Sequence, residues 1–318
     1  MKLVAFLLPL LTLAALGCTS TAPPAAEARS SLELVDLTDE FAAFYDETGT
    51  LGDRERVAAL KARFEPVIPG FYRHERHGFA DAERKDAFIL NALEAYPAER
   101  AAIADMSRRF AFLLAPAQAS FEKAFGPMTG FRPIYVVHSL GEFDGGMRTL
   151  GGKGYLMFGA DMMAKLYADR DIRPFFHHEL FHLHHSRTFR DCSKVWCNLW
   201  NEGLATYVSH RLNPKATDAE LLLTIPEPLR PAVEANRKEA VCTVLAGLES
   251  EDRALNRALF SSGRLNERLP PRFGYYLGYL IAAEAGRTRS LQQLAALSAE
   301  DARPVVEESL RRLAACSG

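Results

Sequence analysis

The chain has 318 residues, and 38 Lys and Arg stand against 40 Asp and Glu, which gives a formal net charge of −2. No excess of positive charge is present to neutralise a phosphate backbone, so the composition argues against a nucleic-acid partner. With 48% hydrophobic and 25% charged residues, the chain is typical of globular proteins and unlike disordered or multi-span membrane proteins.

The N-terminal segment is typical of an export signal. Lys2 gives it a short positive start, and the apolar run over residues 3–16 is 14 residues long. That run falls short of the roughly 20 residues that span a bilayer. We therefore expect residues 1–17 to be a signal peptide.

The letters ALGC at residues 15–18 resemble a bacterial lipobox. The resemblance implies a lipoprotein in which acyl chains on Cys18 form the membrane anchor. Thr19 is not the aspartate that marks retention at the inner membrane, which implies the outer membrane, facing the periplasm. A plain signal peptide with a chance cysteine is the alternative. Residues 18–31 have no large apolar side chain and are interpreted as a flexible tether.

Residues 32–126 are predicted to form an N-terminal helical region. Apolar residues recur there at every third or fourth position, as in the stripe that starts at Leu34 and continues through Leu37 and Phe41. Prolines, among them Pro97, divide the region into about four predicted helices.

Two short apolar runs, residues 133–138 and 155–159, predict strands in the second part of the chain. The glycine-rich stretch between them matches no phosphate-binding motif and predicts a hairpin or a mobile flap. Helical patterns return from Asp161 almost to the end. Together the patterns predict an α+β fold that is predominantly helical, with a small sheet and a catalytic region over residues 127–318.

Four cysteines remain besides Cys18, an even number in a compartment that permits oxidation. The sequence does not choose among the three possible pairings. We favour a disulfide between Cys192 and Cys197 across a short loop and another between Cys242 and Cys316 near the C-terminus. A zinc cluster of these thiols is disfavoured because CxxxxC is not a usual metal-binding spacing.

The motif HExxH occurs at residues 178–182. Four residues of helix turn about 400°, so His178 and His182 lie on one face and both rings can reach one ion. Glu179 lies beside them, where it could accept a proton from zinc-activated water. The apolar residues Phe176, Leu180 and Leu183 are predicted to face the core on the opposite side.

Five of the nine histidines fall within residues 177–185, and three of them are not part of the motif. His185 is a weaker candidate for a ligand, because its spacing differs from HExxHxxGxxH. We expect it to face solvent or to lie next to the ligands. His177 and His184 are expected at the surface or next to the ligands.

A catalytic zinc ion takes three protein ligands and keeps one open position. Glu202, in the segment NEGLATY, follows the first motif at a distance that allows a loop and a second helix, and it supplies the missing carboxylate. Gly203 and Ala205 are small, so this helix is predicted to approach the HExxH helix closely. Leu204 and Tyr207 are predicted to face the core.

The two motifs, HELFH and NEGLATY, resemble those of gluzincin metallopeptidases, in particular predicted zinc-dependent proteases with an EGxAxY motif. The resemblance covers about residues 130–285. It implies a zincin-like fold with one zinc ion on His178, His182 and Glu202, and Glu179 as the general base. It also implies that the strand at residues 155–159 is the edge strand that aligns extended peptide substrates, although an ordinary core strand is equally consistent with the pattern.

A late segment, GYYLGY at residues 274–279, is similar to an element of related families and offers a donor for the developing oxyanion. A tyrosine of this segment is the predicted donor, with Tyr276 favoured. Tyr279 shares its face, and a packing role for both tyrosines is equally consistent with the pattern; His210 is a weaker alternative. The sequence thus predicts a zinc peptidase that acts on peptide or protein substrates. A non-catalytic envelope lipoprotein with a structural or vestigial zinc site, or a zinc amidase acting on cell-wall amides, remains open.

Overall fold

A computed structural model describes residues 32–77, 81–189 and 192–316. The expected signal peptide, the lipidated Cys18 and the tether lie outside these residues. The fold is predominantly helical with one small sheet, as the α+β prediction requires. Within the described ranges, no helix is both long enough and apolar enough to cross a membrane.

Four strands form the sheet, in the order β1-β2-β4-β3. Their bounds are β1 Leu34–Asp36, β2 Ile134–Val137, β3 Gly145–Leu150 and β4 Lys153–Gly159. Strands β1, β2 and β4 run parallel, whereas β3 is antiparallel to β4. The two strands predicted from the sequence are therefore present as β2 and β4.

The glycine-rich stretch forms the hairpin β3–β4, which agrees with the hairpin alternative of the prediction. Leu150 pairs with Lys153 across the turn. Gly151 and Gly152 have φ angles of 54° and 75°, and two successive positive φ angles are what a two-residue hairpin turn of type I′ requires.

Strand β1 corrects the prediction for the start of the helical region. Leu34 belongs to this strand and pairs with Ile134 of β2, whereas the apolar stripe had placed it in a helix. The first helix, α1, covers Thr38–Glu47, and α2 covers Asp53–Phe64. A three-residue strand carries too little pattern to be distinguished from a helix start, so its pairing with β2 decides its conformation.

Helix α3, Ala82–Phe125, is a single helix that contains Pro97 and Pro116. The predicted break at Pro97 is therefore wrong. An interior proline costs about 3 kcal/mol in a helix, but α3 buries apolar residues at helical spacing along its whole length, from Ile89 to Phe121. This tertiary burial outweighs the local penalty.

Helices α4 (Ala160–Tyr167) and α5 (Arg173–His185) follow the sheet, and both pack against α3. The ring of Phe110 in α3 lies 4.8 Å from that of Phe158 in β4 and 4.7 Å from that of Phe176 in α5. This aromatic cluster fixes α5 against the sheet, with its N-terminal half next to β3.

The remaining helices cover the other side of α5. Their bounds are α6 Val195–Leu212, α7 Leu229–Ala235, α8 Arg237–Ala246, α9 Arg253–Phe260, α10 Phe273–Ala285, α11 Leu291–Ala295 and α12 Ala299–Leu313. Helix α6 packs between α5 and α10. Buried apolar residues of both predicted regions form one continuous core.

Two disulfides join the pairs of cysteines that we favoured from the sequence. Cys192 is bonded to Cys197, and Cys242 is bonded to Cys316, with Cα–Cα distances of 5.8 and 5.6 Å. The first closes the loop that leads into α6, and the second ties α8 to the residues after α12.

Candidate metal centre

Helix α5 carries the HExxH residues. Pro174 at its first turn favours helix initiation, because proline lacks the N–H that would have no partner there. The stripe of Phe176, Leu180 and Leu183 is buried as predicted. The opposite face is also mostly enclosed, since His178 is 5% exposed and Glu179 is 6% exposed.

Three donor atoms converge between α5 and α6. The Nε2 atoms of His178 and His182 are 3.0 Å apart. Oε2 of Glu202 lies 3.4 Å from the first of these atoms and 3.3 Å from the second. These residues form a group that could hold a metal ion.

The spacing of the donors suits a small tetrahedral ion. Ligands at about 2.0–2.1 Å from zinc in tetrahedral geometry lie about 3.3 Å from one another, which matches the separations between His178, His182 and Glu202. Two imidazoles and one carboxylate are also a common donor set for catalytic zinc. The residues present therefore fit this ion.

The charges of the group are compatible with a bound cation. Burial alone would raise the pKa of Glu202, but the neighbouring His182 and His178 hold it well below its usual value. Burial disfavours the charged form of His182, yet the Glu202 carboxylate raises the pKa of that ring to about 9. For His178, burial dominates and lowers the pKa. The carboxylate is thus ionised, and a bound cation would take over the role of the protonated ring.

Glu179 differs from Glu202 because it has no cationic partner in hydrogen-bond contact. Its Oε2 atom is buried and has no hydrogen-bond partner in the described part of the chain. Burial raises the pKa of Glu179 to about 8. The carboxyl group is therefore held with a free oxygen beside the three donors, on the wall of the cleft.

A cleft of about 490 Å³ opens onto the ligands. Strand β3 forms part of its wall through residues 145–148, and Tyr275 of α10 and Arg272, the residue before α10, form another part. The edge of the sheet at this cleft is β3, because β4 is paired on both sides. The prediction that residues 155–159 form the edge strand is therefore wrong; the hairpin partner of that strand takes the edge position.

Glycines bring α10 against α6. A Cβ atom on Gly203 would lie 2.2 Å from the backbone of Gly278, and one on Gly278 would lie 2.4 Å from the carbonyl oxygen of Leu199. The close approach that we predicted for the Gly203 helix is therefore to α10. Leu204 and Tyr207 are buried as predicted. This crossing places the start of α10 beside Glu202.

Tyr275, and not Tyr276, lies in the wall of the cleft beside the three donor residues. Its ring centroid lies 6.4 Å from that of His178, and it lines the cleft. Burial raises the pKa of Tyr275 well above its usual value, so its hydroxyl keeps the proton. The sequence signal was the segment GYYLGY itself, in which adjacent tyrosines lie about 100° apart on the helix.

The hydroxyl of Tyr276 is engaged elsewhere. It donates to Oε1 of Glu234 at 2.6 Å and accepts from Arg230 at 3.2 Å. Tyr279 does share its face, with ring centroids 5.8 Å apart, but its hydroxyl bonds to Nδ1 of His210 at 2.8 Å. The three residues are absent from the lining of the cleft. The geometry therefore does not support Tyr276, or the alternative His210, as the oxyanion donor.

The other histidines of α5 have structural contacts. His177 is 2% exposed, so the expectation of a surface position is wrong. Its Nε2 lies 3.1 Å from the carbonyl oxygen of Ala117 in α3, and its Nδ1 lies 2.7 Å from Nδ2 of Asn213. His184 lies against Phe125 in α3, with ring centroids 5.3 Å apart.

His185 lies next to the ligands and does not face solvent, because its side chain is fully buried. Its Nδ1 is 3.0 Å from Oδ1 of Asn201, the residue before Glu202. The ring stacks between Phe181 and Phe189. His185 therefore supports the start of the ligand segment of α6 and is not one of the three converging donors.

Comparisons of this chain with models of protein families, with curated protein sequences and with solved structures give no match.

Proposed function

We propose that the protein is a zinc-dependent peptidase of the gluzincin type. One observation carries the proposal: three donor atoms with the spacing of a tetrahedral zinc site face a cleft beside a buried carboxyl group that has a free oxygen. Attachment to the outer membrane through Cys18 belongs to the same proposal and rests on the lipobox resemblance alone.

His178, His182 and Glu202 would hold the zinc ion. Zinc, when bound, supplies a Lewis acid that polarises a peptide carbonyl and acidifies water. The group contains three protein ligands, whereas structural zinc sites usually contain four. This difference favours a catalytic site over a structural one.

Glu179 is the proposed general base. Its free Oε2 accepts a proton from the attacking water, and the same carboxyl group then delivers the proton to the leaving amine. Enclosure of Glu179 by protein makes this transfer more favourable, because burial raises its proton affinity toward that needed near neutral pH.

Tyr275 is the proposed oxyanion donor. Its phenol stays protonated, and its ring lies beside that of His178. A hydroxyl in the wall of the cleft can donate a hydrogen bond to the oxygen of the carbonyl under attack, where negative charge develops.

Strand β3 is the proposed platform for the substrate. An edge strand has unpaired backbone groups that can bind an extended peptide as an additional strand. Residues Gly145–Arg148 of this strand line the cleft that contains the metal ligands. A peptide paired there would pass along the ligands with its backbone held in a fixed register.

The test uses a Glu179→Gln variant, because the amide fills the same space but cannot act as a base. We expect zinc content equal to wild type and hydrolysis at least about 1,000-fold slower. Elemental analysis of the dialysed protein measures the zinc content, and a peptide library digested by the zinc-loaded full chain, with mass spectrometry as the readout, measures hydrolysis. Glu300→Gln, an exposed position on α12, is the matched control, and a chelator arm removes the metal.

Two outcomes would contradict the proposal. Digestion by the Glu179→Gln variant at the wild-type rate would rule out Glu179 as the base. Absence of cleavage by the wild-type protein, together with a fourth protein ligand in its metal spectroscopy, would indicate a structural zinc site instead.

A further inference from the structure

Two arginines line the cleft, and neither forms an ion pair with any carboxylate of the residues that the structure describes. The guanidinium carbon of Arg272 lies 4.6 Å from the ring centroid of Tyr275, and that of Arg148 lies 4.0 Å from the centroid of Phe143. Stacking of this kind uses the flat face of the guanidinium group and leaves its in-plane N–H donors available. Arg148 donates one of these N–H groups to the carbonyl oxygen of Met147.

Arg272 adopts a backbone conformation that is unfavourable for a residue with a side chain. Its backbone is left-handed, with φ 69° and ψ 11°, a conformation that non-glycine residues rarely adopt and that occurs often at ligand sites. Its Nε atom is buried without a hydrogen-bond partner in the described ranges. A partly buried cation without a counter-charge destabilises a fold. A bound ligand that accepts hydrogen bonds from Arg272 would offset this cost.

Two of the three acidic groups that line the cleft are already engaged, and the third, Glu179, forms no ion pair with either arginine among the described residues. Glu202 belongs to the metal group. Asp144 accepts hydrogen bonds from the hydroxyl of Tyr167 at 2.5 Å and from the N–H of Gly145 at 3.0 Å. Arginines elsewhere do pair with carboxylates, as Arg230 does with Asp218. The two cleft arginines thus present positive charge toward the space that the substrate would occupy.

We propose that Arg272, assisted by Arg148, binds a carboxylate of the peptide substrate close to the bond that is cut. This inference rests on the proposed peptidase function. The guanidinium carbon of Arg272 lies 4.6 Å from the ring centroid of Tyr275, and that centroid lies 6.4 Å from the ring centroid of His178. The guanidinium carbon is therefore at most about 11 Å from the centre of the His178 ring. Since an extended residue spans roughly 3.3–3.6 Å, the carboxylate belongs to a residue one to three positions from the scissile bond.

The carboxylate has two sources, an acidic side chain or the C-terminus of the substrate. Four fluorescent peptides of one sequence separate them: a neutral peptide with Gln and a C-terminal amide, the same peptide with Glu in place of Gln, the same peptide with a free C-terminus, and one with both carboxylates. Their dissociation constants are measured by fluorescence anisotropy on the zinc-loaded full chain with the Glu179→Gln substitution, which binds without cutting. Rates of cleavage by the chain with Glu179 intact are measured in parallel.

We expect at least one carboxylate peptide to bind about 10-fold more tightly than the neutral peptide, because charge-assisted hydrogen bonds to arginine are strong. Arg272→Asn should abolish the preference, and asparagine tolerates a left-handed backbone. Arg148→Gln should reduce the preference about 3-fold. Arg54→Gln, an exposed arginine of α2 outside the cleft, makes the same change of charge and should leave the preference intact.

Equal binding of neutral and acidic peptides by the chain with both arginines would overturn the inference, even if the peptides are hydrolysed. Retention of the preference in Arg272→Asn would overturn the role of Arg272. If that variant does not fold, the comparison of the four peptides and the Arg148→Gln variant decide. If no peptide binds or is cut, the peptidase proposal fails together with this inference; cleavage without a preference removes this inference alone.

Discussion

Among the residues that the structure describes, a buried histidine lies beside a carboxylate between α5 and α6 and again at the end of β2, and only the first of these two clusters has the geometry of a metal site. Between α5 and α6, the donors of His178, His182 and Glu202 lie 3.0–3.4 Å apart and face a cleft. At the end of β2, Nδ1 of His138 lies 3.7 Å from Oδ2 of Asp161, and these two side chains are 2% and 1% exposed.

The carboxylate of the second cluster is satisfied by its own loop, although Nε2 of His138 is buried without a hydrogen-bond partner in the described part of the chain. Asp161, at the start of α4, accepts from the N–H groups of Ser139 and Gly141 at 2.7 and 2.6 Å and from the Ser139 hydroxyl at 3.0 Å. Nδ1 of His138 accepts from the N–H of Leu140, and its ring stacks on Phe41 with centroids 4.2 Å apart.

The comparison shows that burial and residue type do not by themselves identify a site. In the His138 cluster, the backbone of residues 139–141 already donates to the acidic oxygens. In the α5–α6 cluster, the carboxylate of Glu202 contacts two imidazole rings instead, and the three converging donor atoms form a group that could hold a metal ion. The following predictions test that distinction.

The largest effect is expected from Glu202→Ala. Loss of one of three ligands should weaken zinc binding by about 1,000-fold or more, since loss of a mere supporting contact costs 10- to 100-fold. Competition with a chelating dye measures the affinity. Asp161→Ala removes a buried carboxylate from the other cluster and should bind zinc as tightly as wild type; similar losses in both variants would contradict the distinction.

Tyr275→Phe should lower kcat by about 100-fold with little change in KM, because the lost hydroxyl acts on the transition state. Tyr276→Phe is the matched control on the same helix. It should change kcat less than about 3-fold and lower the free energy of unfolding by about 1 kcal/mol through the lost bond to Glu234. Steady-state kinetics with one fluorogenic peptide compare the two, and the reverse ranking would restore Tyr276 as the donor.

Asp161→Ala should reduce the free energy of unfolding by about 2 kcal/mol, because the buried N–H of Ser139 and the half-buried N–H of Gly141 lose their acceptor. Urea denaturation of the metal-free protein with both disulfides intact measures the change. Asp161→Asn keeps one acceptor oxygen and should lose less. An unchanged midpoint in the alanine variant would show that the residue 139–141 turn does not depend on this carboxylate.

The smallest effect is a pH dependence of stability at His138. Burial lowers the pKa of His138 below its ordinary value of 6.5, so below pH 6.5 the unfolded chain binds a proton that the folded chain does not. Stability should therefore fall with decreasing pH by at most about 1.4 kcal/mol per pH unit from this residue.

His138→Asn, which retains an acceptor for the Leu140 N–H, should lack that contribution. The difference in unfolding free energy between the two proteins is followed from pH 7 to pH 5 with the metal removed. Parallel curves for wild type and variant would show that the pKa of His138 is the same in the folded and the unfolded protein.

Local patterns predicted most of the elements around the site. The HExxH spacing, the apolar stripe of α5 and the strand at residues 155–159 depend on neighbours within one or two helical turns or on alternation along a strand, and such periodicities are visible in a single sequence. Where a local rule conflicted with tertiary contacts, the tertiary contacts decided, through burial along α3 and through strand pairing at β1. Pro97 remains within α3, and Leu34 belongs to a strand.

The residues of the candidate site likewise include some that the sequence predicted and some that only the tertiary structure identified. Residue type and spacing identified His178, Glu179 and His182 on one helix, and the chemistry of zinc pointed to Glu202 as the missing ligand. They did not identify Tyr275, the strand β3 or the two cleft arginines. Whether Tyr275, β3 and the two arginines line the cleft depends on how α10 crosses α6 and on which strand occupies the sheet edge. Both features are set by contacts between residues far apart in the sequence.

The sequence by itself determined which donors are available and that two of them share a helix face, because helix geometry fixes the relation of residues four apart. Tertiary structure alone decided which tyrosine faces the ligands. Gly203 and Gly278 allow the two helix backbones to touch, and that contact sets the rotation of α10, so that Tyr275 faces the cleft and Tyr276 faces Glu234. A rotation of about 100° between adjacent residues is invisible to spacing rules until the packing partner is known.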